Sequence, residues 1–566
     1  MLVTRAAQAV PGVFDIKTSF FSASRWNLIL IVVALLFSIP LIVILGSVFF
    51  PAKEVWSHLS DTVLTDYIIN SLLLLLGVSF FSMQLGIIPA WLVTMYRFPF
   101  SRTLEWAMLL PMAMPAYIIA YSYTGVLDVA GPVQTTLREL TGWQYHDYWF
   151  PEVRSLGGAI AMLSLVLYPY IYLLARAAFI EQSLCVLEVS RTLGCNTFDA
   201  FRRVALPLAR PAIMVGLSLV VMETLADYGT VQYFGVSVFT TGIFRTWFGL
   251  GDSLAAAQLS ALLLVFVTAF LYFEKRSRRQ ARFHHTSSKY SSLLHQQLRG
   301  RKAMIALILC AAPLLMGFII PVCFLINWAM DTYSQVLGRD FYLLLYHSLL
   351  LALVTAAFAL MIALFMAYSN RNSELMLNRF LVRFVSMGYA IPGTVIAVGV
   401  LIPFAWFDNT LDAFLTKYFD ISSGLLISGT IFTLVFAYLV RFLAVSINTV
   451  EASLLKIKPV MDEVAKTAGL SSGSIIKRIH MPMMKGSLLT ALLLVFVDVL
   501  KELPATLILR PFNFNTLAVR AYELANEERL ADAAVPALAI VLVGIIPVIM
   551  ISNSISRSRA GNDQRK

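Results

Sequence analysis

Apolar residues along this chain neither alternate nor trace a single stripe; they come in long runs separated by short polar stretches. A helix needs about 20 consecutive apolar residues to cross the hydrocarbon core of a bilayer. Twelve such runs can be marked, at about 27–50, 66–95, 103–127, 156–178, 211–235, 253–273, 303–328, 343–369, 378–405, 423–445, 486–509 and 531–552. Alternating segments of the barrel kind are missing, so the runs predict helices. The first, from Trp26 to Phe50, is too long for a signal-peptide core and predicts a span.

Composition sharpens this picture. Of 566 residues, 59% are hydrophobic and 13% charged, and the mean hydropathy is +0.78. A water-soluble chain of this size could not hide so much apolar surface. These values exclude a cytosolic enzyme, a secreted disulfide scaffold and a disordered chain. The four cysteines, Cys185, Cys195, Cys310 and Cys323, form no CxxC pair.

The 43 basic and 32 acidic residues give a net charge of +11. Placing both termini inside leaves about ten of the 43 on the outer side, among them Lys53, Arg138, Arg154, Arg245, Arg339 and Lys417. The densest basic block lies between runs six and seven: Lys275, Arg276, Arg278, Arg279, Arg282, Lys289, Arg299, Arg301 and Lys302. Such a block can serve nucleic acid; between two spans it reads better as a solvated cytoplasmic linker.

The chain repeats itself. Asn70-Ser71-Leu72-Leu73-Leu74 matches His347-Ser348-Leu349-Leu350-Leu351 at an offset of 277, which also carries Pro115 onto Pro392. Glu188 to Gly194 (EVSRTLG) matches Glu463 to Gly469 (EVAKTAG) at an offset of 275, which aligns Arg203 with Arg478 and Pro207 with Pro482. Charged, Gly and Pro positions recurring in register point to duplication. Each unit holds six spans, an even number, so both enter the membrane the same way round. The fold expected is an all-α integral membrane protein, twelve transmembrane helices as two parallel six-helix repeats about an axis along the membrane normal. Spans one and seven are expected at its edge, because the aligned similarity begins at spans two and eight.

The loop between the fourth and fifth spans of each unit carries the strongest motif. Glu188, Ser190, Gly194, Val204 and Pro207 recur as Glu463, Ala465, Gly469, Ile479 and Pro482. A helix can stop at Gly194 or Gly469, since Gly accepts the left-handed conformation there. Asn196 or Thr197, and Ser471 or Ser472, can cap a second short helix. Pro207 and Pro482 would punctuate the return to the membrane. The pattern resembles the EAA loop of permease subunits in binding-protein-dependent ABC importers, and the resemblance covers both units. In that family the loop fits a cleft on the ATPase subunit, which implies docking through Glu188, Ser190, Gly194, Arg203, Pro207, Glu463, Ala465, Gly469, Arg478 and Pro482. Both copies keep the small third residue of the motif. No GxxxxGK[ST] phosphate loop occurs in the chain. ATP and Mg would therefore sit on a partner, and two loops imply two ATPase copies.

Carboxylates inside spans five and eleven are the other candidate chemistry. Glu223 and Asp227 lie four apart, which on a helix is one face. Adding 275 gives Asp498 and Glu502. An intramembrane carboxylate is a functional candidate by default. Four of them, with the Tyr228 phenol, would attract a hard cation; pairing with Lys501, Arg510 or neighbouring backbone would instead fix helix packing. No firmly bound metal is expected. Ala226 to Asp252 and Lys501 to Ala534 look like the fused permeases of ferric-iron importers; thiamine, phosphonate, sugar phosphate and polyamine are the cargoes of related groups.

The resulting layout is an N-terminal tail and first span (1–65), a first permease unit (66–273) with its loop at 181–210, a basic linker (274–302), span seven (303–342), a second unit (343–552) with its loop at 451–485, and a tail (553–566). The expected function is a bacterial inner-membrane permease, not an enzyme, working with a periplasmic binding protein and the lipid bilayer and without nucleic acid. An ion-coupled secondary transporter, with the four carboxylates as coupling sites, is the alternative. A membrane enzyme lacks support: His284-His285 lie in the linker, and His146 and His480 stand alone in sequence.

Overall fold

The computed structural model describes residues 25–51, 53–181, 196–279, 296–371 and 375–557. Eleven of its helices are long and apolar enough to cross a membrane, and a bent pair, Ser101–Ala113 with Ala116–Thr141, supplies the twelfth. Among the described residues the one strand pairing is a two-residue parallel contact of Tyr96–Arg97 with Gln296–Gln297. It ties the end of the basic linker to the turn after span two.

Spans three and nine are not the continuous helices expected at 103–127 and 378–405. Each begins with a short helix, Ser101–Ala107 or Met376–Val385, followed by a tight 3-10 turn and a fresh start at Ala116 or Gly393. The first of these breaks bends the chain by 93°. Pro115 and Pro392 cause the breaks. Each lacks an N–H and forces its predecessor into extended backbone, φ −93° at Met114 and −88° at Ile391. The offset of 277 that aligns the prolines thus aligns a break in the helix.

Spans five and eleven also depart from expectation, at both ends. Pro207 and Pro482 do not interrupt the chain's return. The helix runs on from Phe198 to Ala226 and from Gly473 to Leu500. One π-helical turn, Phe201–Ala205 or Ile476–His480, precedes each proline. The wider turn makes room where the proline ring would strike the carbonyl four residues back. At the other end the helices stop early, and the chain folds back through short helices: Gly229–Tyr233 and Phe239–Phe244, then Pro504–Leu509 and Leu517–Asn526. Span two or eight anchors each fold-back. Ser71 Oγ accepts from the Phe239 N–H at 3.3 Å, and Ser348 Oγ from the Leu517 N–H at 2.8 Å.

The outer spans bridge the two units. Span one, Arg25–Ser47, packs on span six of its own unit and on span nine of the other, and touches span ten. A Cβ at Gly399 would lie 2.7 Å from the Pro40 carbonyl oxygen, and Phe37 stacks on Phe436 at 5.5 Å. Span seven, Arg301–Val336, packs mainly on span twelve of its own unit, where the Thr332 hydroxyl donates to the Ala531 carbonyl at 3.0 Å, and also reaches span three: a Cβ at Gly125 would lie 2.6 Å from the Trp328 ring. Each unit therefore presses its first helix on the other, and among the described residues neither helix lines the space between the units.

Candidate functional site

Between the two units lies a cavity of about 100 Å³. Glu223, Asp227 and Tyr228 line it from the first unit, Asp498 and Glu502 from the second. All five pathway candidates thus meet in one place.

They do not meet as two pairs on two helix faces. Span five ends at Ala226, and Asp227 is extended, φ −66° and ψ 132°. Its carboxylate accepts the N–H groups of Thr230 and Val231 at 3.1 Å each, and the Thr230 hydroxyl at 3.0 Å. Glu502 lies just past the end of span eleven, and its Oε1 accepts the Ala505 N–H at 3.2 Å. Both carboxylates therefore satisfy orphan donors at the start of the fold-back helix. Spacing read on a continuous helix could not show this, because Gly229 and Pro504 start new helices.

The charges also pair in ways the sequence reading missed. Lys501 Nζ lies 2.9 Å from Asp498, so Lys501 is a partner of these carboxylates. Arg510 does not join the site; it pairs with Glu523 at 2.9 Å. Arg441 is the partner instead. Its Nη1 is 2.5 Å from Glu502, and its Nη2 is 3.8 Å from Glu223 of the other unit. Tyr389 donates to Glu223 at 2.8 Å. The signal for Arg441 was present: it is a lone charge within the apolar run of span ten. Tyr228 stacks on Phe244 with ring centres 3.7 Å apart. Among the described residues no three His, Cys, Asp or Glu side chains are arranged to hold a metal ion.

Of the docking candidates, Glu188, Ser190 and Gly194 lie outside the described residues. Asn196 caps the helix that follows, its side-chain oxygen accepting from the Asp199 N–H at 2.8 Å. Arg203 is exposed on the π turn, 3.3 Å from Asp199, one turn before Pro207. The second loop is described throughout. A helix, Pro459–Thr467, ends at Gly469 with φ +81°. The Leu470 N–H returns to the Ala465 carbonyl at 3.0 Å, the closing bond of a Schellman motif. Glu463 is exposed, whereas Ala465 is 4% exposed and faces inward. Arg478 is exposed on the π turn before Pro482.

His480, isolated in sequence, is not isolated in space. It is buried and lies 2.6 Å from Asp462, which also holds Arg371 at 2.8 Å. Arg371 in turn donates to the carbonyls of Leu454 and Ile457. This network fastens the Pro459–Thr467 helix to the C-terminal end of span eight and to span eleven. The first unit carries Ala205, Leu187 and Thr94 at the related positions.

Known proteins place this architecture. The chain is similar to the "Fe(3+)-transport system permease protein FbpB 2" of Haemophilus influenzae, 25% identical over 86% of this chain and 90% of that protein. It is similar to the "Ferric transport system permease protein FbpB" of Actinobacillus pleuropneumoniae, 23% identical over 71% of this chain; there it spans 58% of the relative's length. The "Molybdenum transport system permease protein ModB" of Escherichia coli is 27% identical over 30% of this chain and 74% of its own. The sequence profile of binding-protein-dependent transport system inner membrane components matches residues 82–279 and again 359–561, once in each six-span unit. This multi-pass membrane chain therefore belongs to that family, as a fusion of two of its units.

Proposed function

We propose that this chain is the permease subunit of an ATP-driven importer that moves ferric iron across the inner membrane by alternating access. The observation that carries the reading is the cavity between the units, where two carboxylates from each unit meet. Hard cations favour oxygen donors. In this reading Glu223, Asp227, Tyr228, Asp498 and Glu502 line the path. Relatives that cover most of the chain are named for ferric iron. A periplasmic binding protein delivers the cargo to the outer face. Two copies of an ATPase subunit, carrying ATP and Mg, grip the Glu188–Gly194 and Glu463–Gly469 loops on the inner face. Both termini are then cytoplasmic, and the chain translocates without making or breaking covalent bonds.

The test is reconstitution of the chain in proteoliposomes with its ATPase and binding protein. Ferric iron uptake that requires ATP and the binding protein is expected. Uptake by the chain alone, driven by a proton or sodium gradient, would make it a secondary transporter.

A further inference from the structure

The cavity contains two cations that the internal symmetry does not require. Arg441 stands where the first unit has Val166, and Lys501 where it has Ala226; all four residues line the cavity. A third difference makes room for them. Gly393 stands where the first unit has Ala116, and a Cβ there would lie 2.5 Å from Glu502 Oε1 and 2.8 Å from Arg441 Nη1. The second unit has thus been shaped around its cations.

Those cations hold three of the four carboxylates: Arg441 takes Glu502 and reaches Glu223, and Lys501 takes Asp498. Four carboxylates against two cations leave a formal charge of −2. Two features of the lining remain unspent. Asp227 has hydrogen bonds to Thr230 and Val231 and no cation partner among the described residues. The Tyr117 hydroxyl, on a side chain 5% exposed that lines the cavity, has no hydrogen-bond partner among the described residues. A buried hydroxyl without a protein partner is costly, and this one is free to serve as an oxygen ligand at the cavity wall.

We propose that Arg441 and Lys501 are resident counter-cations, which occupy the path's carboxylates when no cargo is present and yield them only to a cation of higher charge. The second unit thereby sets the charge selectivity of the path. This rests on the ferric reading above and adds the device that enforces it. Four unpaired carboxylates would be too costly to bury. A tethered ammonium or guanidinium acts at an effective concentration of about millimolar or more. A free monovalent ion brings no more charge than the side chain it must replace. Coulomb attraction scales with charge, so a trivalent ion gains threefold per carboxylate at the same distance. It can also take Asp227, Tyr117 and Tyr228 as further oxygen ligands.

The test uses the full-length chain in lipid nanodiscs. Gallium(III), supplied as its citrate, is the redox-inert trivalent probe, and manganese(II) the divalent one; binding is read by equilibrium dialysis. The parent chain is expected to bind gallium and to bind manganese at least tenfold more weakly. The pair Arg441→Gln and Lys501→Gln should bind manganese at least tenfold more tightly than the parent, while Arg441→Lys with Lys501→Arg should keep the parent's selectivity. Ala226→Lys, which copies Lys501 into the first unit and leaves every existing pair in place, should weaken gallium binding at least tenfold. That variant decides the matter if the double glutamine chain fails to fold. Gallium binding by the parent that Ala226→Lys leaves unchanged would overturn the inference and spare the ferric reading. No gallium binding by any variant, with molybdate bound by the parent and lost on removing Arg441 and Lys501, would overturn the ferric reading itself.

Discussion

Tyr389 of the second unit donates its hydroxyl hydrogen to Glu223 of the first across 2.8 Å. With Arg441 Nη2 at 3.8 Å from the same carboxylate, this bond joins the two units at the cavity wall. Motion that separates the units must break it.

Tyr389→Phe tests that role. A hydrogen bond to a charged group contributes about 1.5–3 kcal/mol, and each 1.4 kcal/mol is about tenfold in an equilibrium. In the assembled complex, ATP hydrolysis without the binding protein is expected to rise about tenfold. An unchanged basal rate would show that the bond does not hold the resting arrangement.

Gly393→Ala tests the packing around Arg441 and Glu502. The added methyl would meet Glu502 Oε1 at 2.5 Å. Overpacking of this kind costs about 1–3 kcal/mol. A lower midpoint of thermal unfolding in detergent is expected, with a smaller change for Ala116→Gly at the related position. Equal midpoints for Gly393→Ala and the parent would mean the pair has room to move.

Two substitutions in the second loop should separate grip from support. Glu463 is exposed, so Glu463→Arg combined with Glu188→Arg is expected to abolish co-purification of the ATPase subunit and leave the fold intact. His480 is buried against Asp462. His480→Gln is expected to speed hydrogen exchange across 459–467, because the helix loses one of its two ties to Arg371 and span eleven. Exchange at 197–205 should not change, since the first unit has Ala205 there. Uniform acceleration in both loops would contradict this division.

What was legible in the sequence was local or repeated. Twelve apolar runs of spanning length gave the helices, since hydrocarbon leaves the backbone no other partner than itself. Register at 277 and 275 carried Ser71 onto Ser348 and Gly194 onto Gly469, and the hydrogen bonds of the two serines repeat accordingly. Gly469 closes its helix at φ +81° as its position after the motif implies. The four carboxylates among the pathway candidates stood out because charge inside an apolar run is costly enough to need a reason. Arg441 meets the same criterion, a lone charge in the apolar run of span ten.

Other features depend on contacts between residues far apart in the chain. Glu223 and Asp227 sit four apart, but a helix that ends at Ala226 sends them to different partners, one to Tyr389 and Arg441, the other to its own fold-back helix. Pro207 reads as a break and is absorbed by a π turn, whereas Pro115 reads as part of a span and bends it; packing around each decides which. His480 and Asp462 are 18 apart in sequence and 2.6 Å apart in space. Sequence alone determined that this chain crosses a membrane as two like units with a matched pair of loops, because span length and internal repetition are written along the chain. Only the tertiary structure decided which charges face one another, because the pairing of Arg441 with carboxylates of both units is a property of how the units meet.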